Sequence, residues 1–161
     1  MNTNKLYQTA IHEAGHSVMS VIRGRGVEYV TIISSGKSLG KCKNIKDISN
    51  EYEDNETRGL RMQSEVLILI AGTTSEVVIL GISPLDSRGA EDYKQAEEIL
   101  DAPNDGLTQE RANYIHKLAY SILDNPLVKE QIKAVADKLM ERKTLSGVEV
   151  RKIMKGAEVK G

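Results

Sequence analysis

Apolar residues recur at helical spacing at Leu6, Ala10, Ile11, Ala14, Val18, Met19, Val21 and Ile22, which predicts a helix from about Thr3 to Arg23. Thr3 or Asn4 is expected to cap its start, and Gly24 and Gly26 around Arg25 to stop it and turn the chain. The pattern then changes. Val27 to Ile33 is rich in β-branched residues and reads as a strand, Ser34-Ser35-Gly36-Lys37 as a turn, and Ser38 to Asn44 as a returning strand. Lys46 to Asn55 is polar and acidic, a surface loop suited to a cleft rim.

Helical spacing resumes from about Thr57 to Ile70, carried by Leu60, Val66, Leu67 and Ile70. Ala71-Gly72 reads as a break before a second apolar helix through Leu80, which Gly81-Ile82-Ser83-Pro84 ends; Leu85 to Arg88 reads as a loop. Further helices are expected at Ala90 to Leu100, Thr108 to Leu123, Leu127 to Arg142 and Gly147 to Lys155, with Asn125-Pro126 and Lys143 to Ser146 as connections. Ser146 and Glu149 have the spacing of a capping box. The expected fold class is α+β and mainly α-helical, with a small β-sheet and a C-terminal helical bundle.

Composition narrows the partners. A chain of 161 residues is most simply one domain. Phe and Trp are absent and all six aromatics are Tyr, so the core must use Ile, Leu, Val, Ala and Met, and stacking platforms for nucleic acid are poorly supplied. A net charge of −1 gives no electrostatic case for nucleic acid or for an anionic membrane. The single cysteine, Cys42, excludes an internal disulfide and fits a reducing compartment. Lys41 and Lys43 would favour its thiolate, but no base accompanies it in a local motif, and it reads as an incidental thiol. The N-terminus lacks the apolar stretch of a secretory signal, and Val66 to Ile82, interrupted from Gly72 to Glu76, falls short of a membrane span. A soluble cytoplasmic protein is expected. Gly36-Lys37-Ser38 resembles the end of a phosphate loop, but Thr31 stands where the first glycine belongs.

The chemistry is concentrated in His12-Glu13-Ala14-Gly15-His16, an H-E-x-x-H pattern on the first helix. The four-residue spacing stacks His12 and His16 on one face, within reach of one metal ion. Glu13, one residue round, can serve as general base toward a water at the metal's open position, the chemistry of metal-assisted peptide hydrolysis. Gly15 inside a helix costs roughly 1 kcal/mol relative to alanine, a sign that something approaches the backbone there. A catalytic zinc site usually has three protein ligands. The extended pattern with a third histidine is excluded by Met19 and Ile22, and the only acid between His16 and Asp47 is Glu28 in the expected strand. The third ligand must come from farther along.

With these residues the chain resembles the peptidase domain of the FtsH family of ATP-dependent zinc proteases. The resemblance includes the alanine and glycine of the pentapeptide, Val30-Thr31-Ile32-Ile33 with Ser38-Leu39-Gly40, Ala71-Gly72 with Ser75-Glu76-Val77-Val78 and Gly81, and Thr144 to Val150. It implies Asp92, in Gly89-Ala90-Glu91-Asp92-Tyr93, as the third metal ligand. A carboxylate in a first helical turn also suits the helix dipole. One residue fewer than usual separates Gly-Ala from this aspartate, so Asp86 and Glu91 stand as neighbouring alternatives. Glu76 is more distant and is preferred as a hydrogen-bond partner that orients a histidine. His116 reads as a surface or packing residue.

The resemblance implies a zinc-dependent endopeptidase with Zn2+ held by His12, His16 and Asp92, Glu13 as general base, and unfolded or flexible polypeptide as substrate. An edge strand around Leu39 to Lys43 can pair with an extended substrate. The family places a membrane anchor and a nucleotide-driven unfoldase ahead of its peptidase, and no G-x-x-x-x-G-K-[ST] loop occurs here. The expectation is therefore a peptidase without ATPase activity, working alone or with a separate unfoldase or adaptor. The family's rings of six leave a homo-oligomer open. The alternative from another class is a non-enzymatic or regulatory zinc-binding protein that holds a partner segment on the same fold.

Overall fold

The computed structural model describes residues 3–36, 38–46 and 53–159. The elements run in the order α1 (Thr3–Ile22), β1 (Val27–Thr31), β2 (Lys41–Asn44), α2 (Asn55–Ser75), α3 (Ala90–Asp101), α4 (Thr108–Leu123), α5 (Pro126–Arg142), β3 (Thr144–Ser146) and α6 (Gly147–Val159). Among the described residues this is a mainly helical α+β fold with one three-stranded antiparallel sheet, ordered β2-β1-β3.

Helix α1 is the central rod. Its apolar spacing places Ala10, Ile11, Ala14, Val18 and Met19 wholly out of solvent, and α2 and α5 pack along it. Thr3 and Asn4, expected as caps, lie inside α1, and the residue ahead of them is outside the described residues. α4 lies on α2, while α5 packs on both α1 and α6. The last three helices thus wrap the α1–α2 pair and do not form a bundle apart from it. The core they close is aliphatic, with Leu67, Ile70, Leu123, Ile132, Leu139 and Leu145 fully buried.

The break expected at Ala71-Gly72 does not occur. α2 is continuous to Ser75 and runs on as a π-helical turn, Glu76–Leu80, closed by Gly81 in the left-handed region (φ 66°). Gly72 is a point of close approach, as the site geometry below makes plain. The uninterrupted run Asn55–Leu80 is, by length and composition alone, long and apolar enough to cross a membrane, contrary to the expectation for Val66 to Ile82. Its apolar character has a sufficient cause in the fold, because Val66, Leu67, Ile68, Ile70 and Ala71 are buried against α1, α3 and α4.

Capping chemistry sets several boundaries. Asp54 accepts the Thr57 N–H (2.7 Å) at the start of α2, and Asn125 accepts those of Leu127 and Val128 ahead of α5, which has Pro126 in its first turn. The Ser146–Glu149 box forms as expected: Glu149 takes the Ser146 N–H at 2.8 Å and Ser146 Oγ takes the Glu149 N–H at 3.3 Å. The expected hairpin forms with shorter strands, the first ending at Thr31 and the second starting at Lys41, with an isolated Ser35–Ser38 bridge between them. Lys37 of the expected turn, and residues 47–52 of the expected rim loop, lie outside the described residues. Leu85 lies in a short 3-10 turn, Pro84–Asp86.

The segment Lys143 to Ser146, read as a connection, supplies β3. Val30 faces Cys42 on one side and Leu145 on the other, so β1 is the centre of the sheet and β2 its edge. Three residues are too few to give a periodic signal. Leu145, 1% exposed beneath β1, ties this strand to the core. Leu145→Ala is expected to destabilise the protein by about 2–5 kcal/mol, by lost transfer energy and a residual cavity. Chemical denaturation compared with a Leu85→Ala control, at a side chain 95% exposed, provides the check.

Candidate metal centre and cleft

His12 and His16 lie one turn apart on α1, and each has its Nδ1 anchored from α2 or from the π turn that continues it. His12 Nδ1 bonds Glu76 Oε1 at 2.6 Å, and His16 Nδ1 donates to the Ile68 carbonyl at 2.7 Å. These bonds turn both Nε2 atoms toward the same point, with the rings edge to face at 4.6 Å between centroids. The first turn of α3 brings in Asp92, whose Oδ2 is 3.2 Å from His12 Nε2 and 3.4 Å from His16 Nε2; the two Nε2 atoms are 3.0 Å apart. Metal–ligand bonds of ~2.0–2.1 Å in a tetrahedron would set ligand atoms ~3.3–3.4 Å apart. Three donors at nearly that spacing, from two imidazoles and one carboxylate, can hold a divalent metal.

The close meeting of α1 and α2 depends on two glycines. A Cβ at Gly72 would lie 2.5 Å from His16 Nε2 and 2.7 Å from His12 Nε2. A Cβ at Gly15 would collide with the Ser75 hydroxyl and come within 2.8 Å of the Ala71 carbonyl. Gly15 is therefore the close approach its position in the helix implied, despite its propensity cost.

Glu76 is fully buried at the start of the π turn, where its two oxygens bond His12 and the Gln8 amide (2.5 Å). It orients His12 and does not join the ligand group. Asp86 and Glu91 are also outside that group. Asp92 is not a helix cap: the cap residue is Gly89, and the Asp92 carboxylate turns to the histidines. His116 stands apart, stacked on Tyr93.

A cleft of about 680 Å³ opens over the group. Glu13 lies in its wall, 7% exposed, and accepts a hydrogen bond from the Cys42 backbone N–H on β2. Burial raises its pKa, an effect opposed by the His16 and His12 charges and reinforced by Asp92. Gly40, ahead of β2, passes so near that a Cβ would sit 2.8 Å from Glu13 Oε1. The Cys42 thiol is pushed well up, by burial and then by the Glu13 charge, which removes the thiolate its flanking lysines suggested.

Sequence reasoning missed the Ile68 carbonyl, which carries no side-chain signal, and Gln8, which its placement four residues before His12 could have revealed. It also missed Thr9 and Arg88, both in the cleft wall and joined by an Arg88 Nη1 to Thr9 Oγ1 hydrogen bond of 2.8 Å.

No family model matches the chain. It is 23% identical over 186 aligned residues to the ATP-dependent zinc metalloprotease FtsH of Rickettsia typhi, covering 92% of this chain and 29% of that protein. The proteins of the same name from Rickettsia conorii, at 23% identity with the same shares, and Neorickettsia risticii, at 24% with 92% and 28%, match similarly. The chain is a distant homologue of these metalloproteases over nearly all of its own length, and spans less than a third of theirs.

Two outcomes follow for the metal group. Gly72→Ala is expected to push the two imidazoles apart and weaken zinc binding about tenfold or more while helical content persists; equal affinity in a chelator-competition titration would mean that the pocket has room to spare. In the metal-free protein, burial opposes the charged form of His12, but hydrogen bonds to Asp92 and Glu76 outweigh it and raise the pKa to about 9. A metal must displace that proton. Apparent zinc affinity should therefore climb about tenfold per pH unit between pH 6.5 and 8.5 and level off above about 9. A flat profile across that window would contradict the assignment.

Proposed function

We propose that this chain is a zinc-dependent endopeptidase acting on unfolded or flexible polypeptide. The observation that carries the reading is the convergence of His12 Nε2, His16 Nε2 and Asp92 Oδ2 beneath a cleft whose wall contains Glu13. His12, His16 and Asp92 would hold the zinc, which when bound supplies a Lewis acid and lowers the pKa of water. Glu13 is the proton carrier. It takes the proton of the attacking water and delivers it to the departing amine, restoring its carboxylate. Its raised pKa suits both halves of that cycle, because a carboxylate nearer neutrality accepts a proton more readily and still releases it.

The edge position of β2 supports an extended polypeptide as substrate. Its outer side carries no third strand among the described residues, and Leu39, Gly40 and Lys41 line the cleft beside Glu13. A substrate strand laid there would exchange main-chain hydrogen bonds with β2, a mode that tolerates varied side chains. A purely structural zinc site would normally close its fourth position with another protein ligand, and only three donors converge among the described residues.

Glu13→Gln should retain zinc and lose at least a hundredfold in hydrolysis of an unfolded casein-like substrate, the scale expected for loss of a general base. Asp92→Ala should lose both zinc and activity. Casein digestion with and without chelator, beside metal analysis of each variant, checks these outcomes; a fully active Glu13→Gln protein would remove the assigned role.

A further inference from the structure

Arg88 lies just ahead of the Gly89 cap of α3, where a Cβ on Gly89 would collide with the Thr73 hydroxyl and lie in ordinary contact, 3.7 Å, with His12 Cε1. Its guanidinium faces the cleft, and one nitrogen, Nη1, donates to Thr9 Oγ1. The Thr9 hydroxyl donates its own proton to the Lys5 carbonyl (3.0 Å), so it holds the guanidinium through a lone pair. That one bond is the whole of Arg88's polar engagement among the described residues, and no carboxylate forms an ion pair with it. A guanidinium has five N–H donors in a planar fork. Here a half-buried cation is clamped at one nitrogen while the rest of the fork lacks an acceptor among the described residues.

The other charges in the cleft do not complete it. Asp92 faces the histidines, Glu13 accepts from Cys42, Glu91 is exposed, and Lys41 is an exposed cation on the opposite wall. We propose that Arg88 determines specificity by receiving an acidic side chain of the bound polypeptide. This rests on reading the cleft as a polypeptide site. The Thr9 clamp places the charge about one helical turn, ~6 Å along α1, from Glu13. In an extended substrate that is one or two residues from the reacting bond. At that reach the fork meets a neighbouring side chain and not the scissile carbonyl. A carboxylate matches it with two parallel hydrogen bonds, which a neutral amide cannot reproduce.

The test uses the zinc-loaded Glu13→Gln protein, so that binding is read without cleavage. Fluorescent peptides identical except for Glu, Gln or Lys at the central positions are titrated by anisotropy. The Glu peptide should bind about tenfold more tightly than the Gln peptide. Adding Arg88→Gln should equalise the two, Arg88→Lys should retain part of the difference, and Lys41→Gln should leave it in place. Equal binding of the Glu and Gln peptides before Arg88 is changed would overturn the proposal, as would a preference that survives Arg88→Gln or vanishes with Lys41→Gln. So would a uniform loss of all three peptides with Arg88→Gln, which would mark a residue that only braces Thr9, or no binding of any peptide. Failure of the peptidase reading looks different: wild-type protein binds with the acidic preference but cuts none of the peptides.

Discussion

The contact between α1 and α2 is the constraint on which the rest of this molecule depends. Two helices that met at an ordinary separation of ~8–10 Å would keep their side chains as spacers. Here Gly15 on one helix and Gly72 on the other remove the spacers at the metal group, and backbone meets imidazole and hydroxyl directly. Because α2 lies so close, its own groups can grip the histidines from behind, the Ile68 carbonyl holding one ring and Glu76 the other. The geometry of the donors is thus a by-product of helix packing. Packing is stiff, since buried aliphatic side chains on either side, Ile11 and Val18 from α1 and Leu67 and Ile70 from α2, leave neither helix free to slide.

That stiffness opposes an electrostatic load. Glu76 and His12 are nearly or fully out of water, with Glu13 and Asp92 beside them. Burying charge is unfavourable unless each charge finds a partner. Without a metal, the partners are protons and one another: His12 is held in its charged form to a pH near 9, and Asp92 well below the usual carboxylate range by its hydrogen bonds to the two histidines, against the opposing effect of burial. A divalent cation would replace the shared proton with two positive charges at the point where the three donors converge. The same cluster that strains the apo fold is therefore the one that favours an ion, and the aliphatic core supplies the stability that lets it persist.

The parts of the fold that were legible in the sequence are those governed by local periodicity and capping. α1, α4 and α5 declare themselves by apolar spacing, and the start of α6 by the Ser146–Glu149 box. The meeting of His12 and His16 was legible for the same reason, because a four-residue spacing on a helix is a statement about geometry. Misreadings arose where tertiary contact reverses a local rule. Gly72 is a breaker by propensity and a close-approach residue in fact, so a helix continues where a break was expected. β3 is three residues long and is defined by its pairing with β1, Leu145 opposite Val30, which no local pattern announces. Asp92 was reached through resemblance, since nothing local distinguishes a first-turn aspartate that caps from one that turns toward two histidines on another helix.

The two walls of the cleft then differ in kind. One is helical, with His12, His16 and Glu13 on α1 and Asp92 on α3, all anchored in a core whose fully buried side chains, among the described residues, include no tyrosine. The other is the approach to and start of β2, an edge strand of four residues whose side chains are half-buried or exposed. Chemistry requires positions fixed to fractions of an ångström, and recognition of varied polypeptide requires a surface that yields. The bond between Glu13 and the Cys42 N–H is one link between the walls, beside a 2.9 Å hydrogen bond from Asn44 Nδ2 to Ser20 Oγ, so a chain docking on β2 would act directly on the carboxylate we propose as general base.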